Sequence, residues 1–298
     1  MDWQEELISL YMEISKIYQQ KLTGYCCRMS NYANLEFSDE EIITIYMFGI
    51  MSKNYKIKDI YNYTNRHLQN WFPKLPSYTA FVQRLNKLAD AFIAITKILH
   101  EQISVHESQK TCQLIDSMPV ILAHRGRRFN AKVALEIATA NGYCATKKLH
   151  YYGVKLHILA GYKQGSLPVP SYVGLTEAGM ADLKAYECIL PVLQDQKINI
   201  FADKAYQTQD KEELKTGNLT LYTPVKKKKG QELIDAADQL FSTTVSRIRQ
   251  PIESLFNWLE EKTKIQIASK VRSYNGLMVH VFGKLSSAFF LLSQKFSS

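Results

Sequence analysis

Two short apolar runs each deliver an aspartate: Gln113-Leu114-Ile115 leads into Asp116, and Ile198 to Ala202 leads into Asp203. Runs of this length and composition read as strands buried in a sheet. A carboxylate at the end of such a strand is costly unless it is paired, hydrogen-bonded or bound to a cation. Open α/β sheets carry their sites at the carboxyl ends of strands. The two positions therefore constrain fold and chemistry together: neighbouring strands whose ends present acids. Each aspartate also has a local alternative. Asp203 can cap the element that follows it, with Lys204 to neutralise it, and Asp116, ahead of Ser117 and Pro119, can be a turn residue.

A third acid, Glu253, opens a helical pattern in RQPIESLF. Pro251 suits the first helical position, which makes Glu253 the third, where the helix dipole favours an acid. Ile252, Leu255, Phe256 and Leu259 form the apolar stripe. Glu253 lies beside that stripe, so it is expected near the sheet rather than in bulk water, within reach of the two aspartates. Arg249 can pair with Glu253 or contact a phosphate. Oxygen donors of this kind suit Mg2+ or Mn2+. Two such ions can clamp the attacking and leaving oxygens of a phosphodiester.

Residues 1–105 read as helical. Ser38 to Glu41 is a capping box ahead of IITIYMFGIM. A second helix is predicted over Ile57 to Gln69, and Pro73 and Pro76 then break the chain. Ser77 caps a third helix, with Phe81, Leu85 and Leu88 on one face and Gln83, Arg84, Asn86 and Lys87 on the other. This pair fits a helix-turn-helix that turns Arg84 and Lys87 toward DNA. It fits a helical bundle with a solvated polar face equally well.

From residue 106 onward the pattern is mixed. Strands are predicted in CQLIDSMPV, ALEIATANGYCA, Tyr151 to Ala160, SYVGLT, INIFAD and LTLYTPV. A helix is predicted over Asp182 to Leu193, strained by Pro191, and the tail from Glu253 is helical. The expected fold is α/β, with a mixed sheet flanked by helices over 106–298 and an all-helical domain over 1–105. Along Tyr151 to Ala160 the apolar side chains point one way, while Lys155 and His157 point the other. That polar face can hold a DNA backbone or simply meet solvent.

The chain has 298 residues and a net charge of +9, which suits a polyanion. Arg125, Arg127 and Arg128 form one basic cluster and Lys226 to Lys229 another, with Lys262, Lys264, Lys270 and Arg272 further on. Trp258 can stack on a base or belong to the core. Five cysteines without a CxxC spacing argue against zinc and against a disulfide framework. Acids stand at the N-terminus where a signal peptide would carry basic and apolar residues. Gly276 to Leu292, interrupted by His280 and Lys284, reads as too short to cross a membrane. The expectation is a cytoplasmic, nucleoid-associated protein with no membrane partner.

The blocks LIDSMPV, HYYGVKLHILAG, IFADKAYQ and RIRQPIESLFNWLEEKTKIQIASKVRS resemble, in order, the DDE transposases of bacterial insertion sequences. The nearest resemblance is to the family named for insertion sequence 982, whose helical leader FSDEEIITIYMFGI and LPSYTAFVQRLNKL also fit. The resemblance implies a ribonuclease-H-like catalytic domain and two Mg2+ ions, with Mn2+ able to substitute. It implies cutting and joining of DNA at terminal inverted repeats and target sites, by a homodimer or larger complex that brings two ends together. Asp116 matches the first aspartate, Asp203 the second and Glu253 the glutamate. A broader group of relatives places a Tyr before the glutamate and a Lys after it, where this chain has Ser246 and Glu260; only their arginine is matched, by Arg249. Many relatives have a His before the aspartate matching Asp182, where this chain has Ala181. A catalytically inactive DNA-binding regulator and a repair nuclease of the same fold are the alternatives.

Overall fold

The computed structural model describes residues 2–28, 36–105, 111–193, 197–207, 215–216, 218–227, 231, 233 and 235–297. The elements run α1 Trp3–Ile17, α2 Asp39–Met51, α3 Ile57–His67, α4 Tyr78–Lys87, α5 Ala89–Val105, β1 Cys112–His124, β2 Asn141–Cys144, β3 Leu149–Gly161 and β4 Val169–Glu177. They continue α6 Asp182–Leu193, β5 Ile198–Phe201, β6 Lys215–Thr216, β7 Leu219–Tyr222, α7 Ala236–Arg249, α8 Pro251–Thr263, α9 Tyr274–Met278 and α10 Lys284–Ser297. The chain forms two compact units, Met1–Ile103 with Leu259–Ser298, and Ser104–Trp258.

The helical unit is built around α2, buried on all sides from Ile42 to Ile50. Its predicted capping box is present: Glu41 N–H donates to Ser38 Oγ at 3.2 Å, and Ser38 N–H donates to Glu41 Oε2 at 2.7 Å. Ser77 caps α4 as expected, accepting from Ala80 N–H. Arg84, however, turns inward. Its Nε and Nη2 donate to the two carboxylate oxygens of Asp39 at 2.8 and 2.5 Å, and Nη2 also donates to Cys26 O at 2.7 Å. Asp39 is 1% exposed, and Arg28 pairs with it as well. Lys87 stays exposed. Residues 68–77 connect α3 to α4, longer than the roughly three- to four-residue turn of a compact helix-turn-helix.

The C-terminal helical run is longer than its sequence suggests. A π-helical turn, Val279–Gly283, joins α9 to α10. The resulting 22-residue run Tyr274–Lys295 is long and apolar enough to cross a membrane by length and composition, but 72% of its apolar window is buried in the unit. Of the two polar residues that interrupt it, Lys284 is buried and His280 half-buried, and both donate to backbone carbonyls of the preceding loop. His280 Nε2 reaches Ile265 O at 2.8 Å, and Lys284 Nζ reaches Lys264 O at 3.0 Å.

Burial pushes the Lys284 ammonium from 10.5 down to about 7 and the His280 imidazole from 6.5 down to about 3. The unfolded chain therefore binds the extra proton across both windows, and stability rises with pH through each. Raising the pH from 7 to 10 is expected to increase the urea midpoint of the wild type, and Lys284→Met is expected to flatten that rise. An equal rise in the variant would assign it to other groups.

The second unit is a mixed sheet in the order β2-β3-β1-β5-β7-β6, with β4 also paired to β3. β1, β3 and β4 are antiparallel neighbours, β5 runs parallel to β1, and β7 runs parallel to β5. The outer edge of β3 is shared: β2 lies along Leu149 to Tyr152 and β4 along Val154 to Gly161. Gly153 stands between the two, where a Cβ would lie 2.1 Å from Val120 O. Ile115, Leu159, Ile198 and Ile200 pack with Tyr186 and Ile189 of α6, which covers one face. On the other face Phe201 stacks on Tyr222, which meets Phe241 of α7.

One expectation is corrected here, and one element is added. β1 does not end at Asp116 but continues through Pro119 to His124. What ends nearby is its pairing with β5, whose last registered pair is Leu114 with Phe201. The added element is α7, in a segment to which the sequence reading assigns no element, and Gln250 keeps helical dihedrals between α7 and α8.

Candidate active site

Strand register brings the two aspartates together. In the parallel pair, Leu114 lies beside Phe201. Asp116 and Asp203 each stand two residues beyond, so period-two alternation turns both toward the face that carries α7. Adjacent strands lie about 4.8 Å apart. Each carboxylate also accepts the N–H of the next residue, Ser117 N at 2.8 Å and Lys204 N at 2.5 Å. Asp203 thereby caps the short 3-10 segment Lys204–Tyr206, in line with its local alternative.

Glu253 enters from the first turn of α8, just after the chain leaves α7. Because Gln250 stays helical, Arg249 and Glu253 keep the i,i+4 spacing across the Pro251 junction. Arg249 then joins two acids. Its Nη1 donates to Asp116 Oδ2 at 2.6 Å and its Nη2 to Glu253 Oε1 at 2.6 Å. Glu253 is 53% exposed on its side chain and faces water more than expected. Burial pushes the Asp116 carboxyl from 3.8 up to about 6; Arg249 and the Ser117 N–H oppose the shift, while the charges of Asp203 and Asp182 add to it. Asp116 thus senses the charges of Asp203 and Asp182, and Arg249 links it to Glu253.

A fourth acid, Asp182, escapes the sequence reading as a site residue. Ser117 follows Asp116 and therefore faces the opposite side of the sheet, where its Oγ donates to Asp182 Oδ1 at 2.9 Å. Lys155 Nζ donates to the same oxygen at 3.1 Å and to Met180 O at 2.8 Å. Asp182 opens α6, and in the sequence its suitability for a helix start hides any other role. Tyr206 is a second missed residue. It is buried next to Asp182, Asp116 and Asp203; burial first, and then these charges, hold its phenol well above its ordinary range, and its hydroxyl has no partner among the described residues.

The expected polar face of β3 is not a solvent face. His157 is buried, its Nε2 lies 2.8 Å from Thr176 Oγ1, and burial pushes its imidazole down to about 4, so the ring is neutral at physiological pH. A 430 Å³ cavity beside it, lined by His157, Thr176, Glu177, Met180 and Cys188 among others, contains none of the three acids. Arg125 and Arg127 are exposed and Arg128 is half-buried, all on a 3-10 segment directly after β1. Of the lysine cluster, Lys226 and Lys227 are exposed, and Lys228 and Lys229 lie outside the described residues. Trp258 is half-buried.

The donor type fits a hard divalent cation: carboxylate oxygens are offered by Asp116 of β1 and Glu253 of α8, which meet at Arg249, and by Asp203 just beyond β5. Among the described residues, no three acid, imidazole or thiol side chains are gathered as an ion would require. The Arg249 guanidinium instead supplies the positive charge between Asp116 and Glu253. Any ion shared by those two must take the place of the arginine.

A family model described as transposase DDE domain matches residues 106–273, which include all three acids and Arg249. No curated protein and no solved structure matches the chain. The match covers more than half of the sequence and the whole sheet, and the chain belongs to the transposase DDE domain family.

Proposed function

We propose that this protein is a transposase of the insertion-sequence type, nearest the family named for insertion sequence 982. It binds the terminal inverted repeats of its element, cuts DNA there and joins the ends to a target. The observation that carries this reading is that Asp116 and Asp203 each stand two residues beyond the registered pair Leu114–Phe201, with Glu253 tied to Asp116 through Arg249. The strand order β4-β3-β1-β5-β7 supports a ribonuclease-H-like catalytic sheet within 106–298, whose segment from Leu259 onward joins the helical unit, and residues 1–105 are the DNA-reading domain of this reading. The setting is the cytoplasm, and the working form is a homodimer or larger complex on DNA.

DDE transposase domains generally use divalent metals. In this reading Asp116 and Asp203 would hold Mg2+, or Mn2+ in its place, and Glu253 would complete a second site. When bound, such ions would supply activation of the attacking hydroxyl and charge stabilisation at the leaving oxygen. The chain's own residues supply the rest. The Ser117 and Lys204 N–H groups fix the orientation of the two aspartates. Lys155 and Ser117 fix Asp182 behind them. Arg249, once released, is placed to pair with a DNA phosphate.

Two measurements test this. DNA carrying the element ends, incubated with the protein and Mg2+, should be nicked at the repeats and joined to target, and EDTA should stop both. Binding without metal-dependent nicking would favour a regulator; cutting without regard to the repeats would favour a nuclease. Arg249→Gln, followed by calorimetry in the absence of DNA, should bind Mn2+ about tenfold more tightly, because a competing cation is gone. The same variant should bind DNA more weakly. Unchanged affinity for both would show that Arg249 holds no such position.

A further inference from the structure

We propose that one end of the sheet is a stacking platform for unpaired bases of the DNA strand that this enzyme handles. The inference rests on the reading of the protein as a DNA-processing enzyme and adds a second contact site to it. The residues are Arg125 to Phe129, Tyr143 and His150.

Register assembles the platform. His124 is paired with Tyr151 on β3, and Gly142 of β2 pairs with the same residue from the other side. One step further along, Tyr143 pairs with His150, and Arg125 follows His124 on the opposite flank. Tyr143 and His150 therefore form a cross-strand pair at this end of the sheet, and Arg125 starts the segment that leaves β1 beside it. The 3-10 segment Arg125–Phe129 continues from the same end of β1.

Two large rings are left in water there. Phe129 is 69% exposed and Tyr143 is 52% exposed. Neither hangs loose. The Arg128 guanidinium lies 4.2 Å from the centre of the Phe129 ring. The Tyr143 and His150 ring centres are 4.7 Å apart. Each ring is braced by a neighbour and keeps half or more of its surface in solvent, so the ordering cost of binding is already reduced. Arg125 and Arg127 are exposed and have no acidic partner among the described residues.

Braced aromatic surfaces beside arginines suit a polyanion whose bases are accessible. A fully paired duplex offers phosphates to the arginines but no base face to the rings. A strand with an unpaired or extruded base offers both. The end of β1 that carries this surface, His124, lies eight residues beyond Asp116, or roughly 25 Å. The bases it meets therefore flank the cleavage position rather than occupy it.

The test uses the full chain and element-end DNA in two forms, fully paired and with a short unpaired tract, carrying 2-aminopurine at successive positions. The wild type should bind the unpaired form about tenfold more tightly and quench 2-aminopurine at one position. Phe129→Ala and Tyr143→Ala should lose the preference and the quenching, while duplex binding stays within about twofold and nicking of the duplex persists. Phe129→Tyr, which keeps a ring, should restore both. Equal binding of the two DNA forms by the wild type, or quenching that survives both alanine variants, would overturn the proposal without touching the catalytic assignment. Self-association that Phe129→Ala abolishes, with no change in quenching, would also overturn it and assign the surface to a second copy of the chain. Failure of the wild type to bind either DNA would remove the DNA-processing reading itself, and this proposal with it.

Discussion

Asp116→Asn should abolish metal-dependent cleavage and strand transfer, by about a thousandfold or more, yet leave the protein at least as resistant to unfolding as the wild type. The first half follows from the several kcal/mol that a cation bound at this carboxylate contributes to a charged transition state, at about 1.4 kcal/mol per factor of ten. The second half follows from the site's electrostatics. Burial raises the Asp116 carboxyl to about 6 from 3.8. Its folded pKa lies above its unfolded one, so the stability it contributes is present below about pH 4 and is lost as the pH rises through 6. At neutral pH the ionised side chain is a burden that an amide does not carry. The amide oxygen would still accept the Ser117 N–H, and Arg249 would keep Glu253. Asp203→Asn and Glu253→Gln should also be inactive. Glu253, half in water, should tolerate its substitution with little effect on stability. An Asp116→Asn protein that is inactive because it unfolds would point to a structural ion pair with Arg249 instead.

Arg84→Met should destabilise the helical unit by about 3 kcal/mol, because removing one partner of a buried pair leaves the other charge uncompensated. For a cooperative unit of the size of this helical one, residues 1–103 with 259–298, that corresponds to a fall of about 10 °C in Tm. Asp39 is 1% exposed and takes two of its hydrogen bonds from Arg84. Arg28 remains as a partner, which limits the loss. Asp39→Asn combined with Arg84→Met should recover part of it, since no buried carboxylate is then left behind. The sequence reading of Arg84 as a DNA contact makes the opposite forecast: unchanged Tm and weakened binding to the repeats. Thermal melts of the single and double variants distinguish the two.

Local signals are legible in this chain and long-range ones are not. Ser38 with Glu41 and Ser77 with Ala80 are interactions within four residues, and the spacing alone identifies them. The same holds for Pro251 at the first position of α8 and for the Arg249–Glu253 pair. Asp116 and Asp203 are legible as acids following apolar runs, although Asp116 sits inside β1 rather than at its end. β1 has no β5 partner beyond Leu114, so a proline at 119 is tolerated there. α7 is hidden by Ser242, Thr243, Thr244 and Ser246, poor helix formers that blur the apolar period; the two threonines bond back to Gln239 O and Leu240 O inside the helix. Alternation along β3 identifies its two faces but not what covers them. The polar face of a strand looks the same in sequence whether it meets water or a helix bearing Asp182. Arg84 and Asp39 are 45 residues apart, and no periodicity links them.

The most direct measurement maps the ion itself. Fe2+ bound in place of Mg2+, with ascorbate and peroxide, generates hydroxyl radicals that cut the polypeptide beside the metal. If the three carboxylates share bound cations, the cuts should cluster around residues 116, 203 and 253, disappear under excess Mg2+, and be lost in Asp116→Asn. Cuts confined to one of these segments, or falling at sites elsewhere that Asp116→Asn leaves unchanged, would contradict a shared metal centre.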